Sequence, residues 1–151
     1  MQQTPLQTLK SYLLAHGLKA SRQREVIAEV FFAAGGHLRV DELLERVRSI
    51  DPRISQATVY RTMKLLTECG LAAARNFLDG QTRYEKSDES GEHHDHLICL
   101  RCDTIVEFVD ERIEQLQDHV AKAHGFVVSD HKMELYGLCA TCRAADTSLI
   151  P

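Results

Sequence analysis

Apolar residues in the first seventy positions recur three and four apart, the spacing that gathers side chains along one side of a helix. Thr4-Pro5 offers a cap followed by proline at the first helical position, and Leu6, Leu9, Tyr12 and Leu13 form one apolar face ahead of Gly17. Ser21 opens a second helix with Val26, Ile27, Val30 and Phe31 on its inner face and Gly35-Gly36 at its end. A third, from Val40 to Ser49, turns Leu43, Leu44 and Val47 inward before the breaker Asp51-Pro52. Ser55 caps a fourth, SQATVYRTMKLLTEC, which buries Val59, Met63 and Leu66 and stops at Gly70. Then the signal changes: the strand-like LAAARNF, the turn Asp79-Gly80 and the segment TRYEK read as a hairpin.

Helices followed by a two-stranded hairpin are the order of a winged helix-turn-helix, which makes residues 1–86 a DNA-binding domain. The polar segment SDESGE, residues 87–92, reads as a linker. Beyond it the pattern predicts strands near 95–100, 104–109 and 126–137 and a helix near 111–124 carrying Ile113, Leu116 and Val120. The expected class is α+β, with the winged helix followed by a small α/β domain over residues 93–151.

Composition sharpens this division. A hydrophobic content of 44% is enough for a packed core without external staples. No apolar run approaches the roughly 20 residues of a membrane span, and MQQTPLQTLK lacks the basic-then-apolar order of a secretory signal, so no membrane partner and a cytoplasmic location are expected. Residues 1–86 hold 13 Lys and Arg against 9 Asp and Glu, whereas 87–151 hold 5 against 13, giving +4 and −8. The first half suits a polyanion and the second suits cations.

The cations have an obvious place to go. HHDHLICLRC, residues 93–102, contains three histidines, an aspartate and two cysteines. If residues 93–98 are extended, alternation puts His94 and His96 on one face and His93 and Asp95 on the other, which implies two metal sites back to back. The competing reading is a solvated histidine-rich linker. Cys99 and Cys102 form a Cys-x-x-Cys knuckle, and Cys139 and Cys142 form a second after a gap of 36 residues. Together they supply four thiolates for one tetrahedral Zn(II), a closed and therefore structural site. The alternative is two unrelated buried or redox pairs. Cys69, near a helix end, is read as a small buried hydrophobe.

ATVYRT (57–62), HHDHLICLRC (93–102) and ELYGLCATC (134–142), behind a winged-helix pattern, resemble the ferric uptake regulator family of bacterial metal-responsive repressors. The resemblance runs from residue 5 to residue 142. It implies that the second domain is a dimerisation domain, that the protein is a homodimer, with assembly into a tetramer left open, and that it binds double-stranded DNA at an AT-rich palindromic operator. It also implies a regulatory metal site drawn from both domains, on His37, Glu85, His94, His96 and Glu107. A further site falls on His93, Asp95, Glu114 and His131. On DNA, Tyr60 is expected at thymine methyl groups, Arg61 at a base edge or phosphate and Lys19 in an adjacent minor groove. Ser55 and Thr58, at the start of the same recognition helix, are also expected to contact DNA, and Arg22 and Arg24 are read as phosphate contacts.

Imidazoles and carboxylates make a site of borderline hardness that suits Fe(II), Mn(II), Co(II) or Zn(II). Zinc-sensing members often place a thiolate in the sensing site, and none is placed here. Peroxide-sensing members typically have aspartate where this chain has Glu107. Both comparisons favour an Fe(II)-responsive repressor of iron-uptake genes, with the peroxide-, zinc- or manganese-sensing members as the alternative. A metal hydrolase built on the histidine-rich strand lacks an HExxH or comparable framework. Metal storage leaves the recognition helix and its basic surroundings unexplained.

Overall fold

The computed structural model describes residues 3–87 and 93–146. The expected linker therefore lies, apart from Ser87, outside the described residues. The chain divides after Gly91 into two compact units.

The first unit runs α1 (Pro5–Ala15), α2 (Arg22–Ala33), β1 (Leu38–Arg39), α3 (Val40–Arg48), α4 (Gln56–Glu68), β2 (Ala72–Asn76) and β3 (Thr82–Lys86). The cap residues act as their sequence positions require. Thr4 and Gln7 form a reciprocal capping box at 3.3 and 2.8 Å, and the Ser21 and Ser55 hydroxyls accept from the backbone N–H of Arg24 and Thr58. The apolar faces of the four helices meet in one core of Leu9, Leu13, Ile27, Phe31, Leu43, Val47, Ile54, Val59, Met63 and Leu66. Each such side chain contributes about 1.5–3 kcal/mol by leaving water.

Three antiparallel strands in the order β1-β3-β2 flank that core. The hairpin turns at Asp79-Gly80, where Gly80 sits at φ +77° and Asp79 Oδ1 accepts from Gln81 N at 3.1 Å. The sequence pattern does not announce β1, because two residues are too few to show a period. Its pairing of Leu38 with Tyr84 and Arg39 with Arg83 sets His37 beside Glu85.

The second unit runs β4 (Asp95–Cys99), β5 (Ile105–Phe108), α5 (Glu111–Ala123), β6 (Glu134–Gly137) and α6 (Ala140–Ala144). Its sheet has the order β5-β4-β6, antiparallel to β5 and parallel to β6. The strand expected over 126–137 is confined to Glu134–Gly137. The apolar run before it has the composition of a strand, but β4 already has β5 and β6 on its two sides, and Val127 is 98% exposed. The five-residue α6 is too short for periodicity to reveal.

The two units differ in how much they bury. Among the described residues of the second unit, the buried apolar side chains are Ile98, Cys99 and Cys142. No residue of α5 is buried. Ile113, Leu116, Val120, Phe126, Val128 and Met133 instead line an open groove of about 610 Å³. On the sheet, Leu97 stands in register with Val106 and Leu135, and all three remain more than 40% exposed. A core this thin needs metal or a second surface to hold it.

Candidate metal centres and nucleic-acid interface

The two cysteine knuckles converge. One ends β4 and the other opens α6, and the four sulfurs lie within 4.8 Å of one another. Cys102 Sγ and Cys139 Sγ are 3.7 Å apart. A disulfide needs about 2.05 Å, whereas thiolates at about 2.3 Å from one zinc ion stand about 3.8 Å apart at the edges of a tetrahedron. The backbone is shaped for the same purpose. Asp103 adopts φ +62° directly after the first knuckle, and Cys139 N donates to Cys99 Sγ at 3.4 Å. Backbone donors at Cys102, Cys139 and Arg101 hold the Cys99 thiol down to about 6, and the Thr104 hydroxyl lowers that of Cys102. Burial and the neighbouring sulfurs push Cys142 up to about 12. Four thiolates at this density need a cation among them, and Zn(II) fits.

A second cluster lies in the same unit on His93, Asp95, Glu114 and His131, whose donor atoms all fall within 4.8 Å of one another. Asp95 is fully buried, and its Oδ1 lies 2.9 Å from His93 Nε2. His131 Nε2 lies 3.4 Å from Glu114 Oε1 and 3.9 Å from Asp95 Oδ1. Asp95 Oδ2, Glu114 Oε1 and His131 Nε2 are buried without a hydrogen-bond partner. Buried polar atoms are seldom left so, and two carboxylates and two imidazoles aimed at one point fit a divalent cation.

The five residues expected to form the regulatory site are divided between the units. In the first, His37 Nε2 is 2.7 Å from Glu85 Oε2. Glu85 Oε1 meanwhile accepts from Arg75 Nε at 2.6 Å. Burial alone would raise the Glu85 carboxyl, but His37 and Arg75 together bring it down to about 2. In the second, Glu107 stands opposite His96 in the β4–β5 register; its oxygens are 3.9 Å from His96 Nε2 and 4.0 Å from His94 Nδ1. His94 and His96 thus share Glu107, while His93 and Asp95 turn to Glu114 and His131. Arg75 is the site residue that sequence reasoning missed. The available signal was the hairpin register, which sets Arg75 diagonally across from Glu85.

On α4, Val59, Met63 and Leu66 are buried, while Tyr60 is 50% exposed and Arg61 is exposed beside it. Tyr60 and Arg61 border a groove of about 480 Å³ with Lys64, Ala74 and Tyr84, between α4 and the hairpin. Ser55 and Thr58 are committed to the start of the helix, their hydroxyls 2.9 Å apart. Lys19 is exposed. Arg24 donates to the Lys19 carbonyl, and Arg22 stands 3.5 Å from Glu25 and 3.4 Å from Glu29, so both arginines already have partners within the chain. Cys69 is half-buried against the core, its Sγ 3.5 Å from the Leu66 carbonyl.

A family model described as the ferric uptake regulator family matches residues 15–136. The chain belongs to the ferric uptake regulator family. It is accordingly a metal-responsive transcriptional regulator that binds DNA. It is 44% identical over 131 residues to the ferric uptake regulation protein of Rhizobium leguminosarum bv. viciae, covering 87% of this chain and 91% of that one. Among solved structures, the ferric uptake regulator of Helicobacter pylori, described as having three functional metal-binding sites, matches with a TM-score of 0.80 at 32% identity over 95% of this chain and 97% of that one. A zinc-bound manganese uptake regulator matches at 0.73 and 43% identity, over 87% of this chain and 98% of that one. Family membership and the local geometry thus point to the same α+β architecture. Among the described residues no helix is long and apolar enough to cross a membrane.

Proposed function

We propose that this protein is an Fe(II)-responsive repressor of iron-uptake genes, and that His37, Glu85, His94, His96 and Glu107 together hold its regulatory ion. The observation that carries the metal assignment is the donor set. It contains three imidazoles and two carboxylates and no thiolate, a combination of borderline hardness that suits Fe(II). The cysteines are otherwise engaged, four at the zinc cluster and Cys69 against the core of the first unit. The bound ion supplies a positive charge that several donors can share. His37 and Glu85 bring their donors from the DNA-binding unit, and His94, His96 and Glu107 bring theirs from the other. When all five serve one ion, the domain arrangement is fixed and the DNA-reading helices of a dimer hold one spacing. Moving a population from mostly open to mostly closed requires a differential affinity of about 10⁴, or roughly 5.5 kcal/mol.

In this reading residues 1–86 are the DNA-binding domain and 93–151 the dimerisation domain. The apolar groove under α5 and the Leu97, Val106 and Leu135 face support pairing with a second copy, since exposed apolar surface on this scale marks an interface. The operator is AT-rich and palindromic, matching the two-fold symmetry of the pair, and the protein works in the cytoplasm. His93, Asp95, Glu114 and His131 hold a further divalent cation, and the four cysteines hold zinc.

A second reading, Mn(II) as the sensed ion, is favoured by the 43% identity to the manganese uptake regulator. The same donors accept either ion, and supply in the cell decides between them. The deciding experiment is metal analysis of protein from iron-replete cells, paired with anaerobic mobility shifts on AT-rich promoter DNA with Fe(II) or Mn(II). Iron in the isolated protein and iron-dependent binding lost in His96→Ala support the iron reading. Manganese in the isolated protein, with Fe(II) unable to promote DNA binding, replaces it with the second.

A further inference from the structure

Both carboxylate oxygens of Glu85 are engaged inside the first unit, each by a different group. Oε2 faces His37 Nε2 at 2.7 Å, and Oε1 accepts from Arg75 Nε at 2.6 Å. The contact follows from the hairpin. Ala73 stands opposite Glu85 and Arg75 opposite Arg83, so Arg75 and Glu85 lie diagonally on one face of the sheet, within reach of a long side chain. The Arg75 side chain is half exposed, that of Glu85 only 15%.

We infer that Arg75 is a positioning residue for the regulatory ion: by holding Oε1 it leaves Oε2 as the single Glu85 oxygen offered beside His37 Nε2. This rests on the reading of His37 and Glu85 as regulatory ligands. A carboxylate free to rotate can place one or two oxygens on an ion, and the choice alters coordination number and preferred ion size. A hydrogen bond from a fixed cation removes that freedom, as outer partners of metal ligands commonly do. Arg75 therefore acts on selectivity. It disfavours larger, hard ions that gain most from a second carboxylate oxygen, Mn(II) above all, relative to smaller ions content with one. One hydrogen bond from one nitrogen is also within the capacity of lysine, so the charge and the contact survive Arg75→Lys.

The test uses the full-length zinc-loaded protein titrated with Co(II), whose visible absorption weakens and shifts as coordination number rises. Glu85→Ala first identifies the spectral component that depends on this site. In Arg75→Ala that component is expected to weaken and shift, and the ratio of Mn(II) to Zn(II) affinity to rise about tenfold. Arg75→Lys is expected to return both toward the parent protein, with the thermal unfolding of the two Arg75 variants close to that of the parent, since Arg75 belongs to no buried core. An Arg75→Ala protein with the parent spectrum and the parent Mn(II)/Zn(II) ratio overturns the inference. If Glu85→Ala leaves the Co(II) spectrum intact, the ligand assignment itself fails and the inference falls with it.

Discussion

Arg83, 2% exposed at the centre of the three-stranded sheet, forms an ion pair with Asp79, its Nη2 2.7 Å from Asp79 Oδ2. Its guanidinium also lies 5.4 Å from the centre of the Phe77 ring. A buried cation set against a turn carboxylate makes the wing a specified shape rather than a loose hairpin. Losing the Asp79 charge weakens the compensation of a buried cation, so Asp79→Asn is expected to cost roughly 3 kcal/mol. Urea denaturation followed by the helical signal of the first unit measures it.

The same pair sets a pH dependence. Arg83 holds the Asp79 carboxyl below its ordinary value. Its stabilisation is therefore complete above the unfolded value of about 3.9 and is lost as pH falls through the folded one. The parent protein is expected to lose stability below about pH 4 more steeply than Asp79→Asn. Parallel stability–pH curves at that acid edge would contradict the assignment.

Cys102→Ser or Cys139→Ser is expected to abolish stoichiometric zinc and to unfold the second unit while the first keeps its structure. The reason is the small apolar core of residues 93–146, which makes binding free energy part of folding free energy. Zinc analysis with amide NMR dispersion reports both events. A zinc-free variant with a dispersed spectrum for β4, β5 and β6 would show that the cluster is dispensable.

Much of the first unit is legible in the sequence because long amphipathic helices repeat their signal many times. Thr4-Pro5, Ser21 and Ser55 mark helix starts that the structure places at Pro5, Arg22 and Gln56. β3 coincides with TRYEK. β1, with two residues, and α6, with five residues of a 3.6-residue period, carry too few positions for their periods to register. The run around Val127 misleads for a different reason: β-branched residues suit a strand, but they equally suit an apolar surface left open to solvent. The histidine-rich segment is informative because its neighbours alternate. His96 meets Glu107 while Asp95 meets His93 and His131. What alternation could not supply was Arg75, whose bond to Glu85 depends on where the hairpin turns.

Asp95→Asn tests the second cluster. It keeps the shape of a fully buried side chain and removes its charge, leaving His93, Glu114 and His131 with one carboxylate among them. Metal stoichiometry is expected to fall by one ion per chain, with the zinc of the four-cysteine site retained. Protein that keeps its zinc but lacks this second ion should be no less stable than the parent, because a buried charge lacking its cation is a cost that the substitution removes. Isothermal titration of Co(II) and thermal unfolding after mild chelation that leaves the four-cysteine zinc in place separate these effects.

Tyr60→Ala and Arg61→Ala test the proposal that the exposed surface of α4 contacts DNA. Both side chains are exposed, so folding is expected to be unchanged. Tyr60→Ala should weaken operator binding by about 1–3 kcal/mol and relax preference at the thymines it faces. If Arg61 serves a phosphate, its loss should reduce the slope of log affinity against log salt by about one. Fluorescence anisotropy across a salt series measures both.

The helix α5, from Glu111 to Ala123, buries none of its side chains within a single chain. For a newly made copy this is a question of survival. Until the cysteines are metallated and the groove under α5 is covered, the second unit is expected to open more often, and the open state is the one that housekeeping proteases select. Cellular levels of the regulator would then track zinc supply and the rate of synthesis before any iron is sensed, so that one metal sets how many switches exist and another sets their position.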